Sequence, residues 1–168
     1  MALKPSRTMW RGKKCLQGTT VADLDEYLRR GMKPAEPDDR FVHPVCKQCG
    51  GEVFSLEAKD DGACRTCSRC IGGDDDSKAE GAVQYVCDSE EYWDDDESGE
   101  CGCPCGKSDE FRLSVGFKHV DVQAEDGKIG RYVKWIYVGG MCVRCGVVGL
   151  YADWEINYAP TDHLYDLA

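Results

Sequence analysis

The sequence has no long apolar segment. The longest apolar stretches of the 168-residue chain lie around residues 133–138 and 147–150, whereas a helix that crosses a bilayer needs about 20 apolar residues in a row. The basic first residues are followed by no apolar core and no small-residue cleavage site of the kind that signal peptides have. The sequence therefore predicts a cytoplasmic protein with neither a membrane span nor a signal peptide.

Basic residues are outnumbered by acidic ones. The chain has 21 lysines and arginines against 31 acidic residues, a formal net charge of -10, and a pI of about 4.8. Proteins that bind nucleic acid generally present a basic surface, so this balance disfavours that class. The charge is uneven, because residues 1–33 carry +5 and residues 34–168 carry -15. Only the basic N-terminal arm is suited to contact with nucleic acid.

Signatures of catalysis are missing as well. The three histidines, His43, His119 and His163, lie far apart in the sequence. The chain has no G-x-S-x-G, no phosphate-binding glycine loop and no H-E-x-x-H. We expect no enzymatic activity, and we assign no catalytic and no cofactor-binding residue.

Cysteine, by contrast, is abundant. The chain has 12 cysteines, most of them in close pairs, and in a reducing compartment such pairs are typical of metal sites rather than disulfides. Cys46-x2-Cys49 is followed after 17 residues by Cys67-x2-Cys70, which fits a four-thiolate zinc site. Tetrahedral zinc needs four ligands at about 2.3 Å, and two tight turns supply two thiolates each. The spacing predicts one zinc ion held by these four cysteines.

A second set of four cysteines lies in the C-terminal half. Cys103 and Cys105 precede a long hairpin, and Cys142 and Cys145 follow it. The spacing of one residue in the first pair is unusual, and Cys101 is an alternative ligand. The sequence predicts a second zinc ion here, so the expected cofactors are two Zn²⁺. Each four-thiolate zinc site carries about -2, which moves the net charge to about -14.

Other metals remain alternatives. Cys64, Cys67 and Cys70 form the C-x2-C-x2-C opening of an iron–sulfur motif, but Asp74 stands where the fourth cysteine is required. The two four-cysteine sets are also compatible with a rubredoxin-like iron or redox protein. Such a protein would be coloured, whereas a zinc protein is colourless.

The N-terminal part of the chain contains one predicted helix. Val21, Leu24 and Leu28 recur at helical spacing, Thr20 with Asp23 is typical of a helix start, and Gly31 ends the pattern. Prolines in the following residues prevent the helix from continuing. We therefore predict a short helical arm, which could cover one face of a later sheet.

The remainder has the pattern of short and long β-strands. Apolar residues alternate with more polar ones in residues 52–56, 82–86, 111–117 and 133–137, and Asp126-Gly127 marks a hairpin turn. We predict a mainly β fold with two small antiparallel zinc-ribbon sheets. The predicted divisions are an arm (1–33), a linker (34–42), a first ribbon (43–93), an acidic linker (94–100) and a second ribbon with a C-terminal extension (101–168).

Both halves resemble the zinc-ribbon superfamily. The resemblance rests on Cys46-Lys47-Gln48-Cys49-Gly50 with Cys67-Ser68-Arg69-Cys70, and on Cys103-Pro104-Cys105-Gly106 with Cys142-Val143-Arg144-Cys145-Gly146. It implies that two knuckles clamp zinc at one end of a small sheet. The C-terminal stretch from residue 133 to 154 is also similar to uncharacterised bacterial proteins with paired four-cysteine ribbons. That likeness implies a bacterial origin.

Three function classes follow from these observations. The first is a rigid, acidic protein-interaction module that binds a protein with a basic surface, as an immunity or inhibitor protein would. The second is an accessory zinc-ribbon protein of the nucleic-acid machinery that acts through its basic arm. The third is the rubredoxin-like alternative. We expect the first, without an enzymatic role.

Overall fold

The fold is built around one antiparallel sheet. A computed structural model describes residues 16–32, 34–74 and 76–168; the basic residues before residue 16, and Cys15, lie outside the described residues. Within these residues the strands are β1 (Arg40–Val42), β2 (Phe54–Lys59), β3 (Gly62–Cys67), β4 (Val83–Tyr85), β5 (Gly99–Glu100), β6 (Phe111–Gln123), β7 (Ile129–Cys142) and β8 (Val148–Glu155). The helices are α1 (Val21–Gly31), α2 (Ser68–Ile71) and α3 (Asp76–Glu80), with 3-10 helices at Ser89–Tyr92 and Asp162–Leu167.

The sheet has the order β4-β3-β2-β6-β7-β8, with β1 paired to β6 and β5 paired to β2. The prediction of a mainly β, antiparallel fold is therefore confirmed. The strands expected in two small sheets join into one, because Phe54 of β2 pairs with Phe111 of β6. This is the only register pair between β2 and β6 in the described part of the chain.

That junction forms part of a row across four strands. Phe54 also pairs with Cys67 of β3, and Phe111 pairs with Cys142 of β7. Neighbouring strands lie about 4.8 Å apart, so three spacings separate Cys67 from Cys142 by about 14 Å. We call Cys67, Phe54, Phe111 and Cys142 the junction row; all four residues are buried.

The longest pairing is the hairpin of β6 and β7. The predicted turn is confirmed: Gly127 has φ +81°, and the Asp126 carboxylate accepts a hydrogen bond from the Lys128 N–H at 3.0 Å. Glycine adopts this left-handed backbone without the steric penalty that a side chain brings. β8 pairs with the returning strand β7 and completes the larger half of the sheet.

Helix α1 packs on this larger half. The Asp23 carboxylate accepts hydrogen bonds from the backbone N–H groups of Thr19 (2.8 Å) and Thr20 (3.0 Å), and these hold its pKa below the usual value. The predicted helix start and its end at Gly31 are confirmed. The buried helix residues share one apolar cluster with three sheet residues: Leu24, Tyr27, Leu28, Met141, Val148 and Leu150. The expectation that this helix covers a face of the sheet is confirmed as well.

We expect Leu28→Ala to destabilise the metal-loaded protein by about 3 kcal/mol. Leu28 is 1% exposed, and truncation of a buried leucine removes apolar contacts and leaves a cavity. Urea denaturation followed by tryptophan fluorescence measures the change. Leu16→Ala is the matched control because Leu16 is 47% exposed; an equal loss of stability in both variants would contradict the packing of α1 on the sheet.

Two predicted linkers take part in the sheet. The segment 34–42 contains β1, whose Phe41 pairs with Gly116 of β6. The segment 94–100 ends in β5, whose Gly99 pairs with Ala58 of β2. The division of the chain at these boundaries stays a prediction. Within the ranges that the structure describes, no helix is long and apolar enough to cross a membrane.

Candidate metal centres

The first four predicted cysteines converge at one end of the smaller half of the sheet. Cys46 and Cys49 lie in the turn that precedes β2, Cys67 is the last residue of β3, and Cys70 lies in α2. Their Sγ atoms all lie within 4.8 Å of one another. Cys46 is 3.7 Å from Cys70, and Cys49 is 3.5 Å from Cys67. We call these four cysteines site 1.

These separations match a tetrahedral metal site. Four thiolates at about 2.3 Å from one ion have tetrahedral edges of about 3.8 Å. A disulfide would require an S–S distance of about 2.05 Å. The sulfur atoms of site 1 are therefore too far apart for disulfides and at a suitable distance for a shared metal ion.

A tight turn presents Cys46 and Cys49 to this site. Gly50 has φ +72°, and its N–H donates to the Cys46 carbonyl at 2.8 Å. The N–H groups of Gln48 and Gly51 donate to the Sγ atoms of Cys46 and Cys49, each at 3.4 Å. Such N–H···S contacts favour thiolates, which are the form of cysteine that binds metal.

The other four predicted cysteines converge at the corresponding end of the larger half. Cys103 and Cys105 lie in the loop before β6, Cys142 is the last residue of β7, and Cys145 lies in the turn that leads to β8. Their Sγ atoms lie within 4.8 Å of one another, with Cys103 3.4 Å from Cys145. We call these four cysteines site 2.

Two glycines close the turns that carry the cysteines of site 2. Gly106 has φ +69° and Gly146 has φ +75°. The Gly146 N–H donates to the Cys142 carbonyl at 2.9 Å, as Gly50 does in site 1, and the Gly106 N–H donates to the Cys103 carbonyl at 2.9 Å. The group of four includes Cys103 and not the alternative Cys101.

Hydrogen bonds and burial give the thiols of site 1 different pKa values. Burial raises the pKa of Cys46, but the N–H groups of Cys49 and Gln48 and the amide of Gln84 outweigh it and bring the pKa to about 6. Burial raises the pKa of Cys70 to about 12. Cys46 therefore ionises more readily than Cys70, whose thiol needs a nearby cation to become a thiolate near neutral pH.

Site 2 has the same asymmetry. The N–H of Lys107 lowers the pKa of Cys105 to about 7, whereas burial raises the pKa of Cys103. Cys105 and Cys145 are also partly exposed, while Cys103 and Cys142 are buried. The partly exposed Cys105 is therefore a suitable first contact for a metal ion that enters site 2.

Cys64, Cys87, Cys101 and His43 lie outside both groups. Cys64 and Cys67 are three residues apart on β3, so their side chains lie on opposite faces of the strand. The Cys64 Sγ lies 3.8 Å from a carboxylate oxygen of Glu57. An iron–sulfur motif of Cys64, Cys67 and Cys70 is therefore not assembled. The buried Cys87 donates to the Leu164 carbonyl at 3.5 Å. His43, which precedes Cys46 by three residues in the sequence, lies 2.8 Å from the Asp25 carboxylate.

A third group of potential ligands was not predicted. The ligand atoms of Asp38, Asp39 and His119 lie within 4.8 Å of one another. Arg131, however, donates to both carboxylate oxygens of Asp38, at 2.5 and 3.0 Å, and it lowers the Asp38 pKa. His119 contacts the Tyr165 hydroxyl. We assign no metal here, because the guanidinium already satisfies the exposed carboxylate.

Comparison with known proteins adds no relative. No protein-family model, no curated protein and no solved structure matches this chain. The functional argument therefore rests on the two tetracysteine groups, which are compatible with zinc-ribbon-like sites and suggest metal binding.

Proposed function

We propose that this chain is a non-enzymatic protein-interaction module stabilised by two zinc ions, and that its acidic surface binds a protein with a basic surface. The observation that carries the proposal is the pair of complete four-thiolate groups, sites 1 and 2. Four cysteines fill the coordination sphere of tetrahedral zinc, as in structural sites, whereas catalytic zinc keeps one position open for water or substrate. The ions then stabilise the fold and perform no reaction.

The densest run of acidic residues lies in residues 88–100, which we call the acidic segment. Its run from residue 90 to 100 holds seven acidic residues in eleven, and all seven are exposed. Several contacts tie the segment to the sheet. The buried Lys59 ammonium donates to the Tyr92 carbonyl, the Trp93 ring packs edge-on against Tyr85 at 5.6 Å, and Glu100 pairs with Glu57.

This anchoring holds the acidic segment in place before a partner binds. An acidic segment held against a sheet loses less conformational entropy on binding than a free tail would. Zinc in both sites brings the net charge to about -14, which would speed encounter with a cationic protein through electrostatic steering. An immunity or inhibitor protein that neutralises a basic bacterial partner fits this surface.

Metal content is the first test. Protein purified without added metal should contain two zinc equivalents by mass spectrometry under native conditions and should be colourless. One or two iron equivalents with visible absorption would instead support the rubredoxin-like alternative, and absence of bound metal would contradict the proposal.

Neutralisation of the acidic segment tests the partner surface. We expect the triple variant Glu90→Gln, Glu91→Gln and Asp96→Asn to lose at least about tenfold in affinity for basic proteins captured from nuclease-treated bacterial lysate, because three steering charges are removed. A salt series measured by biolayer interferometry gives the affinities.

A matched variant controls for net charge. Glu52→Gln, Asp109→Asn and Glu125→Gln also remove three exposed acidic residues, but these lie away from the acidic segment in the sequence. Equal losses in the two triple variants would contradict a localised surface. Retention that disappears with nuclease treatment would support the nucleic-acid alternative.

A further inference from the structure

One positive charge is buried beside site 1. Arg65 lies on β3 and is only 1% exposed. Its guanidinium packs over the Phe54 ring at 5.0 Å, and its Nη2 donates to the Gln84 side-chain oxygen at 3.1 Å and to the Val45 carbonyl at 3.4 Å. Within the described residues, Nε and Nη1 have no hydrogen-bond partner. A buried guanidinium in such surroundings requires a nearby negative charge.

The strand geometry identifies where that charge lies. Side chains alternate along a strand, so Arg65 and Cys67 occupy the same face of β3. Burial lowers the pKa of Arg65, and the groups whose negative charge opposes this are Cys46, Cys87 and Cys67, with no carboxylate among them in the part of the chain that the structure describes. Burial raises the pKa of Cys87, so its thiol stays neutral at pH 7. The thiolates of site 1 remain as the counter-charge.

Gln84 connects the guanidinium to the metal site. Arg65 and Gln84 are cross-strand neighbours, and the Gln84 side-chain oxygen accepts hydrogen bonds from Arg65 and from the Lys47 N–H. Because the Gln84 oxygen accepts these bonds, the Gln84 amide nitrogen faces Cys46 and donates to its Sγ at 3.4 Å. Arg65 thereby sets the orientation in which Gln84 supports a thiolate ligand, which is the role of an outer-shell partner in metal sites.

We propose that Arg65 is the buried counter-charge of site 1 and, through Gln84, a positioning residue that increases the affinity of this site for a divalent metal ion. The inference rests on the proposed function, which places a metal ion in site 1. Four thiolates with a divalent ion carry a net charge of about -2, and with a trivalent ion about -1. Arg65 therefore favours the divalent state and makes the two sites unequal, with site 1 the tighter.

The test compares metal release from the two sites of full-length, zinc-loaded protein. A chromophoric chelator should show two kinetic phases, and a Cys142→Ser variant assigns the phase that belongs to site 2. We expect Arg65→Met to accelerate the site 1 phase by about 10- to 100-fold, the usual effect of losing an outer-shell partner, and to leave the site 2 phase unchanged. Arg65→Lys should recover part of the effect, because it keeps the charge.

Two further variants separate this role from a merely structural one. Gln84 lies on the half-buried strand β4, and Gln84→Met keeps the charge of Arg65. We expect this variant to accelerate zinc release from site 1 by about tenfold. Arg144→Met is the matched control, because Arg144 is exposed and adjoins Cys145 of site 2, and we expect it to change neither phase.

The outcomes are distinguishable. If the wild-type protein binds no metal, the proposed function fails. If it binds two zinc ions and Arg65→Met and Gln84→Met release both at wild-type rates, the proposed function stands and the inference about Arg65 is overturned. Equal acceleration of both phases by these variants would also overturn it, because a general loss of stability affects both sites.

Discussion

Removal of both metal ions is expected to unfold most of the sheet. Each site joins a turn to a strand end, and the junction row between the sites has a single register pair between β2 and β6. Structural zinc contributes about 10–16 kcal/mol of apparent binding free energy in zinc-finger peptides, comparable with the whole stability of a typical domain. Without metal, the buried thiols and Arg65 would remain in the core uncompensated.

Circular dichroism during titration with a chelator measures this effect, and native mass spectrometry counts the ions that remain. The strand signal should fall as metal is lost and return when zinc is added back under reducing conditions. Loss of two equivalents with an intact strand signal would contradict a structural role for the metal. Leu28→Ala protein with its zinc still bound is a useful comparison, because it is destabilised without loss of ligands.

The second large effect concerns the ligands of site 2. We expect Cys142→Ser to retain one zinc ion rather than two and to melt roughly 10 °C lower or more. The variant would lose about 4 kcal/mol of stability, and each kcal/mol lost lowers the melting temperature by about 2–4 °C in a chain of this size. Cys142 ends β7 and belongs to both site 2 and the junction row. Metal stoichiometry and calorimetry measure the two quantities.

Cys101→Ser is the matched control. Cys101 is buried near the same loop, and its N–H donates to the Leu56 carbonyl at 2.8 Å, but it lies outside the four-sulfur group. We expect this variant to keep both zinc ions. If Cys101→Ser lost one ion while Cys103→Ser kept two, Cys101 would replace Cys103 as the ligand.

Local patterns predict much of this fold. Helix α1 and the long β6–β7 hairpin follow from apolar periodicity, from Thr20 and Asp23 at the helix start and from Asp126-Gly127 at the turn, all of which act over a few residues. The joining of the sheet could not be predicted in this way. It depends on Phe54 and Phe111, which lie 57 positions apart in the sequence.

Strand β3 shows where the sequence pattern misleads. No strand is predicted over Gly62–Cys67, which contains glycine, two cysteines and an arginine. In the structure every residue of this strand except Thr66 is buried, because β2 and β4 cover its edges and site 1 lies at its end. A buried arginine cannot be foreseen from polarity alone, since its burial depends on thiolates contributed by another segment.

The candidate sites were predictable to the extent that they are local. Paired cysteines followed by glycine identify the turns around Cys46 and Cys142, because a left-handed glycine closes each turn. Spacing alone left Cys101 and Cys103 as alternatives. In the structure the Gly106 N–H bonds to the Cys103 carbonyl and closes the turn, and Cys103 belongs to the four-sulfur group.

The junction row also couples the two sites thermodynamically. If an ion in site 1 orders β3 and β2, it fixes Phe54, which then presents a folded edge to Phe111 and Cys142. Binding of the first ion would thus include much of the entropy cost of ordering the strands, and the second ion would bind at a smaller cost. This is the condition for positive cooperativity between two sites that share no ligand. Site 1, as the tighter site, would then load first and release its ion last, and molecules with only site 2 filled would be scarce.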